Sequence, residues 1–286
     1  MRRTSEVAIL AAMTNQWETI RLVKQPPLAE LILNRPEMRN ALSGRMIEEI
    51  GAALDLVEED ADLKVLIIRG EGDVFCAGAD LGELKAIQDA EFEENMAASL
   101  ALVGLFRRIY TFPKATIAAV HGSCVAGGCG IATGCDLIIA DESARFRYSE
   151  AAIGFVAAIV AIFLLRIVGE KHARELLLTA RFTPAAEAFR IGLVNEVAAP
   201  GEHLRRAREV AREIALNSGI SVRLSKEVLE RLPSLGLDEA FEYVADVNAR
   251  GRLNDECREG IAAFLEKRTP EWRRRVREML ERGELN

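Results

Sequence analysis

Five cysteines, at Cys76, Cys124, Cys129, Cys135 and Cys257, are spread along 286 residues without a CxxC pair. That pattern excludes a disulfide framework and the usual spacing of a structural zinc site. The thiols read instead as small buried or loop residues in a reducing compartment, the cytoplasm. His121 lies near several of them, yet no metal is assigned, because the glycines around it explain that segment better. No apolar run reaches the roughly twenty residues that a membrane span requires. The longest, Ala151 to Leu165, reads as a buried helix in the core or at a subunit contact. Basic residues are fewer than acidic ones, 37 against 44, giving a formal charge of -7 and a pI near 5.3. This balance argues against nucleic acid as a partner, which calls for a basic face. The cluster Arg273 to Arg275 with Arg277 reads as a solvated helix face. At the other end, Met1-Arg2-Arg3 followed by an apolar run looks like a signal peptide, but Glu6 interrupts it and no small-x-small cleavage site follows.

What is present is a hydrophobic content of 50%, enough for a full core in one large domain or in a domain with an appended helical part. Leu28 to Leu33 alternates and ends at Asn34-Arg35-Pro36, a strand running into a turn. Ser43 then precedes Met46, Ile47, Ile50, Leu54 and Val57, whose spacing predicts an amphipathic helix with Ser43 as its N-cap. Strands are predicted over 64–69, 115–120 and 137–140, and helices over 92–110 and 127–133. Beyond Lys171 strand signals fade apart from Val194 to Val197, and helical periodicity takes over. Leu204, Ala207, Val210, Ala211 and Ile214 share one helix face, and two further helical segments carry Val222, Lys226 and Leu229, then Phe241, Val244, Ala245 and Asn248.

Two glycine-punctuated loops stand out: Val74-Phe75-Cys76-Ala77-Gly78-Ala79-Asp80 and Val120-His121-Gly122-Ser123-Cys124-Val125-Ala126-Gly127-Gly128-Cys129-Gly130. Each joins an apolar strand-like run to a helix-compatible segment, so each can present bare backbone N–H groups at a helix entrance. Two such loops make a pocket for one developing oxyanion.

These loops, together with Leu33-Asn34-Arg35-Pro36, Arg39-Asn40-Ala41-Leu42, Cys135-Asp136, Gly192-Leu193-Val194 and Phe264-Leu265-Glu266-Lys267-Arg268, follow one another in an order and spacing similar to the crotonase, or enoyl-CoA hydratase/isomerase, superfamily. The resemblance runs from Trp17 to Arg275. It implies an α/β fold, a crotonase-like spiral of strand-strand-helix repeats followed by a C-terminal helical region. Residues 17–200 would form the spiral core with the acyl-CoA site. Residues 201–286 would cover CoA and pack on neighbouring subunits, as a homotrimer or hexamer. Residues 1–16 precede the resemblance and read as a disordered extension, with Met13 an alternative start.

The resemblance places two oxyanion donors on the backbone N–H groups of Ala79 and Gly127. A thioester oxygen gains charge as an enolate forms, and fixed N–H groups stabilise it without reorganising. Gly127 also opens a helix, whose dipole points the same way; the plainer reading is that Gly127-Gly128 permits close packing. Asp80 reads as the cap of the segment from Leu81 rather than as an acid. Of the two glutamates that many hydratases of this superfamily use, the first would stand at Gly130 and is absent. Gly130 lies about one helical turn after Gly127, so a side chain there is expected near the same pocket wall, unless Ala157, Ala158 or others have filled the space. The second glutamate is Glu150, beside Ala151, Ala152, Ile153 and Phe155. Partial desolvation there would raise its pKa toward the range of a general acid or base; the plainer reading is a surface glutamate starting a helix.

For CoA the resemblance implies the Asn34 to Leu42 loop with Arg39 and Ala41, the Cys76 and Ala77 backbone, and Lys267 in the C-terminal helix. Gly82 stands where the superfamily often has a basic residue, with Lys85 as stand-in; the alternative for each charge is simple solvation. No cofactor is implied, since CoA is part of the substrate. The activity expected is hydration of a 2-enoyl-CoA thioester through the oxyanion pocket and a single glutamate. Alternatives are double-bond isomerisation, another acyl-CoA lyase or decarboxylase reaction, or a non-catalytic acyl-CoA-binding subunit. Ser123 lacks a G-x-S-x-G elbow, which argues against a serine hydrolase.

Overall fold

The computed structural model describes residues 17–284, so the expected extension over 1–16 lies outside the described residues. The chain opens with β1 (Ile20–Gln25) and β2 (Leu28–Leu33), an antiparallel pair, then α1 (Gly44–Glu59) and β3 (Val65–Gly70). Next come α2 (Leu81–Asp89), α3 (Phe92–Tyr110), β4 (Ala115–Val120), β5 (Ser123–Val125) and α4 (Gly127–Gly134). Then follow β6 (Leu137–Asp141), β7 (Arg145–Arg147), a 3-10 turn (Glu150–Ile153), α5 (Ala158–Thr179), β8 (Thr183–Pro184), α6 (Ala185–Arg190) and β9 (Glu196–Ala198). Five helices close the chain: α7 (His203–Ala215), α8 (Gly219–Arg231), α9 (Leu237–Gly251), α10 (Asp255–Leu265) and α11 (Glu271–Glu284).

The large sheet runs β1-β2-β3-β4-β6-β9 and the small one β5-β7-β8. From β4 onward the chain moves from one sheet to the other, so β4-β5-α4 and β6-β7-α5 are successive turns of a strand-strand-helix spiral. Strand β4 reads Ala-Thr-Ile-Ala-Ala-Val with every residue buried, as a parallel strand covered on both faces must be. On one face α1 buries Met46, Ile50, Ala53, Leu54 and Val57, and Ser43 caps it by accepting from the Met46 N–H at 3.3 Å. On the other face α7 lays Ala207, Ala211 and Ala215 against Val65, Ile67, Ile117 and Ile139. Alanines at a four-residue spacing let the helix backbone approach the sheet closely. Asp136 ties the spiral together, accepting from the Thr116 N–H at 2.7 Å and pairing with Lys226 of α8 at 2.6 Å.

One expectation changes. The apolar run from Ala151 is not one buried helix: residues 151–156 are exposed, α5 begins only at Ala158, and it breaks at Gly169, where φ is 73°. Val160, Phe163 and Leu164 turn inward, whereas Ile162 and Leu165 face out of the chain. The arginine cluster is the solvated face expected of it, with Arg274, Arg275 and Arg277 exposed on α11, while the opposite face of that helix docks on the sheet. Val276 of α11 is buried against the sheet, Arg273 donates to the Leu216 carbonyl, and Arg275 pairs with Asp62. Helices α8 and α9 bury no residue fully, and with α10 and α11 they line a groove of about 870 Å³ containing Leu224, Val228, Val244, Phe264 and Trp272. No helix among the described residues is long and apolar enough to cross a membrane.

Candidate active site

Asn40 fastens the first wall of the site. It is fully buried with φ 54°, and its amide nitrogen reaches the carbonyls of Glu71, Val74 and Phe75 while its oxygen accepts from the Arg35 N–H. Arg35 in turn donates to the Ala41 carbonyl and pairs with Asp80 at 2.9 Å. Asp80 caps α2, accepting from the Gly82 N–H at 2.8 Å. That bond, together with Arg35, holds its carboxyl below the usual range. It is therefore an ionised strut, as its place before Leu81 suggested. Arg35 and Asn40 belong to the sequence pattern, but nothing in that pattern shows that they hold the loops.

The two glycine loops lie side by side. Cys76 and Cys124 form a parallel bridge, the Cys76 N–H donating to the Ser123 carbonyl and the Val125 N–H to the Cys76 carbonyl. A Cβ on Gly78, whose φ is 96°, would stand 3.2 Å from the Val125 carbonyl and the Ala126 methyl, so glycine suits both the backbone here and the close approach of the loops. Across from Val125, the Leu42 N–H donates to the Gly78 carbonyl and the Asp80 N–H to the Leu42 carbonyl. Successive N–H groups of extended chain alternate in direction, so the Ala79 N–H points away from Leu42.

Gly127 is the first residue of α4, where helix N–H groups have no intrahelical partner. Ala126 before it takes φ 47° and ψ -112°, a conformation that costs an L-residue backbone strain of about 1 to 3 kcal/mol and sets the direction of the Gly127 N–H. Neither the Ala79 nor the Gly127 N–H donates to any group among the described residues. Gly127 also approaches Leu42, since a Cβ there would meet Leu42 Cδ1 at 2.7 Å. Both donors therefore flank the same residue, one on each loop.

Glu150 lies on the chain that follows β7, and the end of β7 is tied to the residue before Gly127. The Ala126 N–H donates to the Arg147 carbonyl at 2.8 Å, and the Cys129 thiol lies 3.6 Å from the same oxygen. Three residues later Glu150 opens the 3-10 turn, half-buried, with Oε2 shielded and unpartnered. Burial raises its pKa above the ordinary carboxyl value, against a smaller lowering by its own N–H. The desolvation read from its apolar neighbours is present, although Ala151, Ala152, Ile153 and Phe155 themselves are exposed in the isolated chain.

Gly130 does not face a free pocket wall. A Cβ built on it would stand 2.3 Å from Cε2 and Cζ of Phe106, a fully buried ring of α3. The three nearest atoms all belong to Phe106, so the space is filled by another side chain than Ala157 or Ala158. Gly130→Glu is accordingly expected to destabilise by at least about 2 kcal/mol through overpacking and carboxylate burial. Thermal unfolding of the variant beside the parent checks this, and an unchanged melting temperature would show that Phe106 yields.

Of the CoA-contact candidates, Arg39, Ala41, Cys76 and Ala77 come together: the Ala77 N–H donates to the Arg39 carbonyl at 3.0 Å, and Arg39 is exposed at φ 53°. Cys76 can contribute only backbone, because its side chain is fully buried and burial pushes its thiol up to about 12. Lys85 is exposed on α2, and Lys267, exposed at φ 54°, lies in the turn after α10 rather than on a helix. No hydrogen bond or ion pair among the described residues ties either lysine to Arg39 or Ala77. His121 stacks on His203 with ring centroids 4.7 Å apart, and no cluster of three metal-ligating side chains occurs among the described residues.

Comparison with known proteins identifies the family and the fold. The sequence model of the family described as enoyl-CoA hydratase/isomerase matches residues 24–275. A Thermus thermophilus protein provisionally named an enoyl-CoA hydratase is 47% identical over 87% of this chain and 98% of its own length. The crotonyl-CoA hydratase of Syntrophomonas wolfei is 37% identical over 88% of this chain and 96% of its own. Among solved structures, an enoyl-CoA hydratase from Shewanella pealeana superposes with a TM-score of 0.88 at 27% identity, over 92% of this chain and 99% of that one. The fold is thus the crotonase fold, and the chain is an enzyme that belongs to the enoyl-CoA hydratase/isomerase family.

Proposed function

We propose that the protein adds water to a 2-enoyl-CoA thioester, with Glu150 as its one proton-transferring carboxylate and the Ala79 and Gly127 N–H groups holding the thioester oxygen. The observation that carries this reading is the shielded, unpartnered Glu150 carboxyl, three residues from a carbonyl hydrogen-bonded to the residue before Gly127. Glu150 takes a proton from water as its oxygen bonds to the β-carbon. The electron pair of the double bond moves to the thioester oxygen, where the two N–H groups bind it. The protonated Glu150 then returns a proton to the α-carbon. A raised pKa suits a group that must both accept and give a proton near neutral pH.

Arg39, Lys85 and Lys267 are the cations assigned to the CoA phosphates, and Ala41, Cys76 and Ala77 line the same ledge. Residues 17–200 then carry the site, while 201–286 cover CoA and hold subunits together as a trimer or hexamer. The apolar groove between α8, α9 and α10 supports that last reading. Phe106 favours one second reading, isomerisation of the double bond, because it leaves a single carboxylate that can remove a proton from one carbon and return it to another. Purified protein offered 2-enoyl- and 3-enoyl-CoA thioesters separates the two. A product heavier by one water is expected from the 2-enoyl substrates; double-bond migration with no mass change would replace the hydratase reading by the isomerase one.

A further inference from the structure

Six buried side-chain polar atoms among the described residues have no hydrogen-bond partner, and two of them, Tyr148 Oη and Glu150 Oε2, belong to residues only two positions apart. Tyr148 is 1% exposed and packed into the main core. A buried hydroxyl without a partner destabilises, and a phenylalanine of the same shape would avoid that cost. Tyrosine at this position therefore calls for a partner outside the protein. The phenol lies within electrostatic reach of Glu150: burial first, then Cys129, Cys124 and Glu150, hold its pKa far above the ordinary value, so it stays a neutral O–H. It does not reach Glu150 directly, since neither atom is bonded to the other. A single small molecule hydrogen-bonded to both neighbouring groups would satisfy the two atoms at once. The segment that carries them is fixed to the oxyanion loop through the Arg147 carbonyl, which accepts from the Ala126 N–H at 2.8 Å.

We propose that the Tyr148 hydroxyl and the Glu150 carboxylate together hold the water that is added, Tyr148 fixing its oxygen while Glu150 takes its proton. This rests on the hydratase reading of Glu150. Tyr148 supplies no proton to the product. It orients the attacking oxygen where Gly130 and Phe106 provide no polar group.

Tyr148→Phe is the test, read by three measurements on one preparation. Hydration of a short 2-enoyl-CoA is expected to fall about 10-fold in kcat with KM little changed, the size of effect one hydrogen bond supplies. Deuterium exchange at the α-carbon of a saturated acyl-CoA, which uses Glu150 and the oxyanion pocket but no attacking water, is expected to stay near the parent rate. The melting temperature is expected to hold or rise, since an unpaired hydroxyl has been removed. Parent-like hydration would overturn the proposal and leave Tyr148 an orphaned core hydroxyl. Equal losses in hydration and exchange with a lower melting temperature would overturn it in favour of packing. Glu150→Gln measured alongside separates the two readings: if that variant hydrates normally, the role of Glu150 fails and Tyr148 falls with it. If Glu150→Gln is inactive while Tyr148→Phe matches the parent, only the Tyr148 role fails.

Discussion

Glu150→Gln should lower turnover by at least about 10²-fold while leaving the fold as stable as the parent or more so. The activity side follows from chemistry: glutamine keeps the volume and cannot accept a proton from water. The stability side follows from linkage. Burial raises the Glu150 pKa above 4.5, so the folded state holds its proton more tightly than the unfolded chain does. Stability therefore falls as pH rises through the ordinary carboxyl range toward the raised value, and the deficit persists above it. Replacing the carboxyl removes that deficit, so the variant should melt higher than the parent at neutral pH and lose the advantage below about pH 4.5. Parent activity, in turn, should decline as pH falls through the raised pKa, because the base must be ionised to act. Melting curves and initial rates across pH check both halves. A fully active variant would move the base elsewhere, and a variant that is inactive because it melts early would make Glu150 a structural residue.

Local rules gave the elements that contain the site. Ser43 and Asp80 cap helices as their positions suggested, because an N-cap depends on a side chain and the N–H groups two or three residues on. The alanine face of α7 was legible for the same reason, a spacing read within one helix. What the sequence hid is set by contacts across the chain. Phe106 and Gly130 are 24 positions apart in sequence, and nothing in either segment says that the ring fills the space beside the glycine. Asn40 joins carbonyls more than thirty residues away, and its presence in a familiar pattern reveals nothing of those bonds. The run from Ala151 is apolar at nearly every position, so it carries no period that separates an inward face from an outward one. Its first six residues are exposed in this chain, and the inward face of α5 begins at Val160. Ala126 shows the same limit at the backbone, since φ of 47° is imposed by the Arg147 carbonyl and the docking of the two loops, and alanine itself disfavours it.

That strained residue shapes the test of the oxyanion pocket. Gly127→Pro should reduce turnover by about 10²- to 10³-fold, the loss expected when one N–H donor to a developing oxyanion is removed. Proline suits the first position of a helix, but it pushes the preceding residue toward extended backbone, and Ala126 is far from that region with ψ at -112°. Any Cβ at 127 also presses on Leu42 Cδ1, the end of a flexible side chain that can turn aside. Gly127→Ala carries the same Cβ and keeps the N–H, so it should retain most activity, and the gap between the alanine and proline variants measures the donor rather than the crowding. Glycolic acid at position 127 isolates the effect further, since an ester oxygen replaces the N–H and adds no atoms. If the N–H binds the thioester oxygen, the ester variant should lose turnover nearly as far as the proline variant while binding CoA and melting like the parent. An ester variant with parental turnover would take the oxyanion away from Gly127 and leave its glycine as a packing requirement against Leu42.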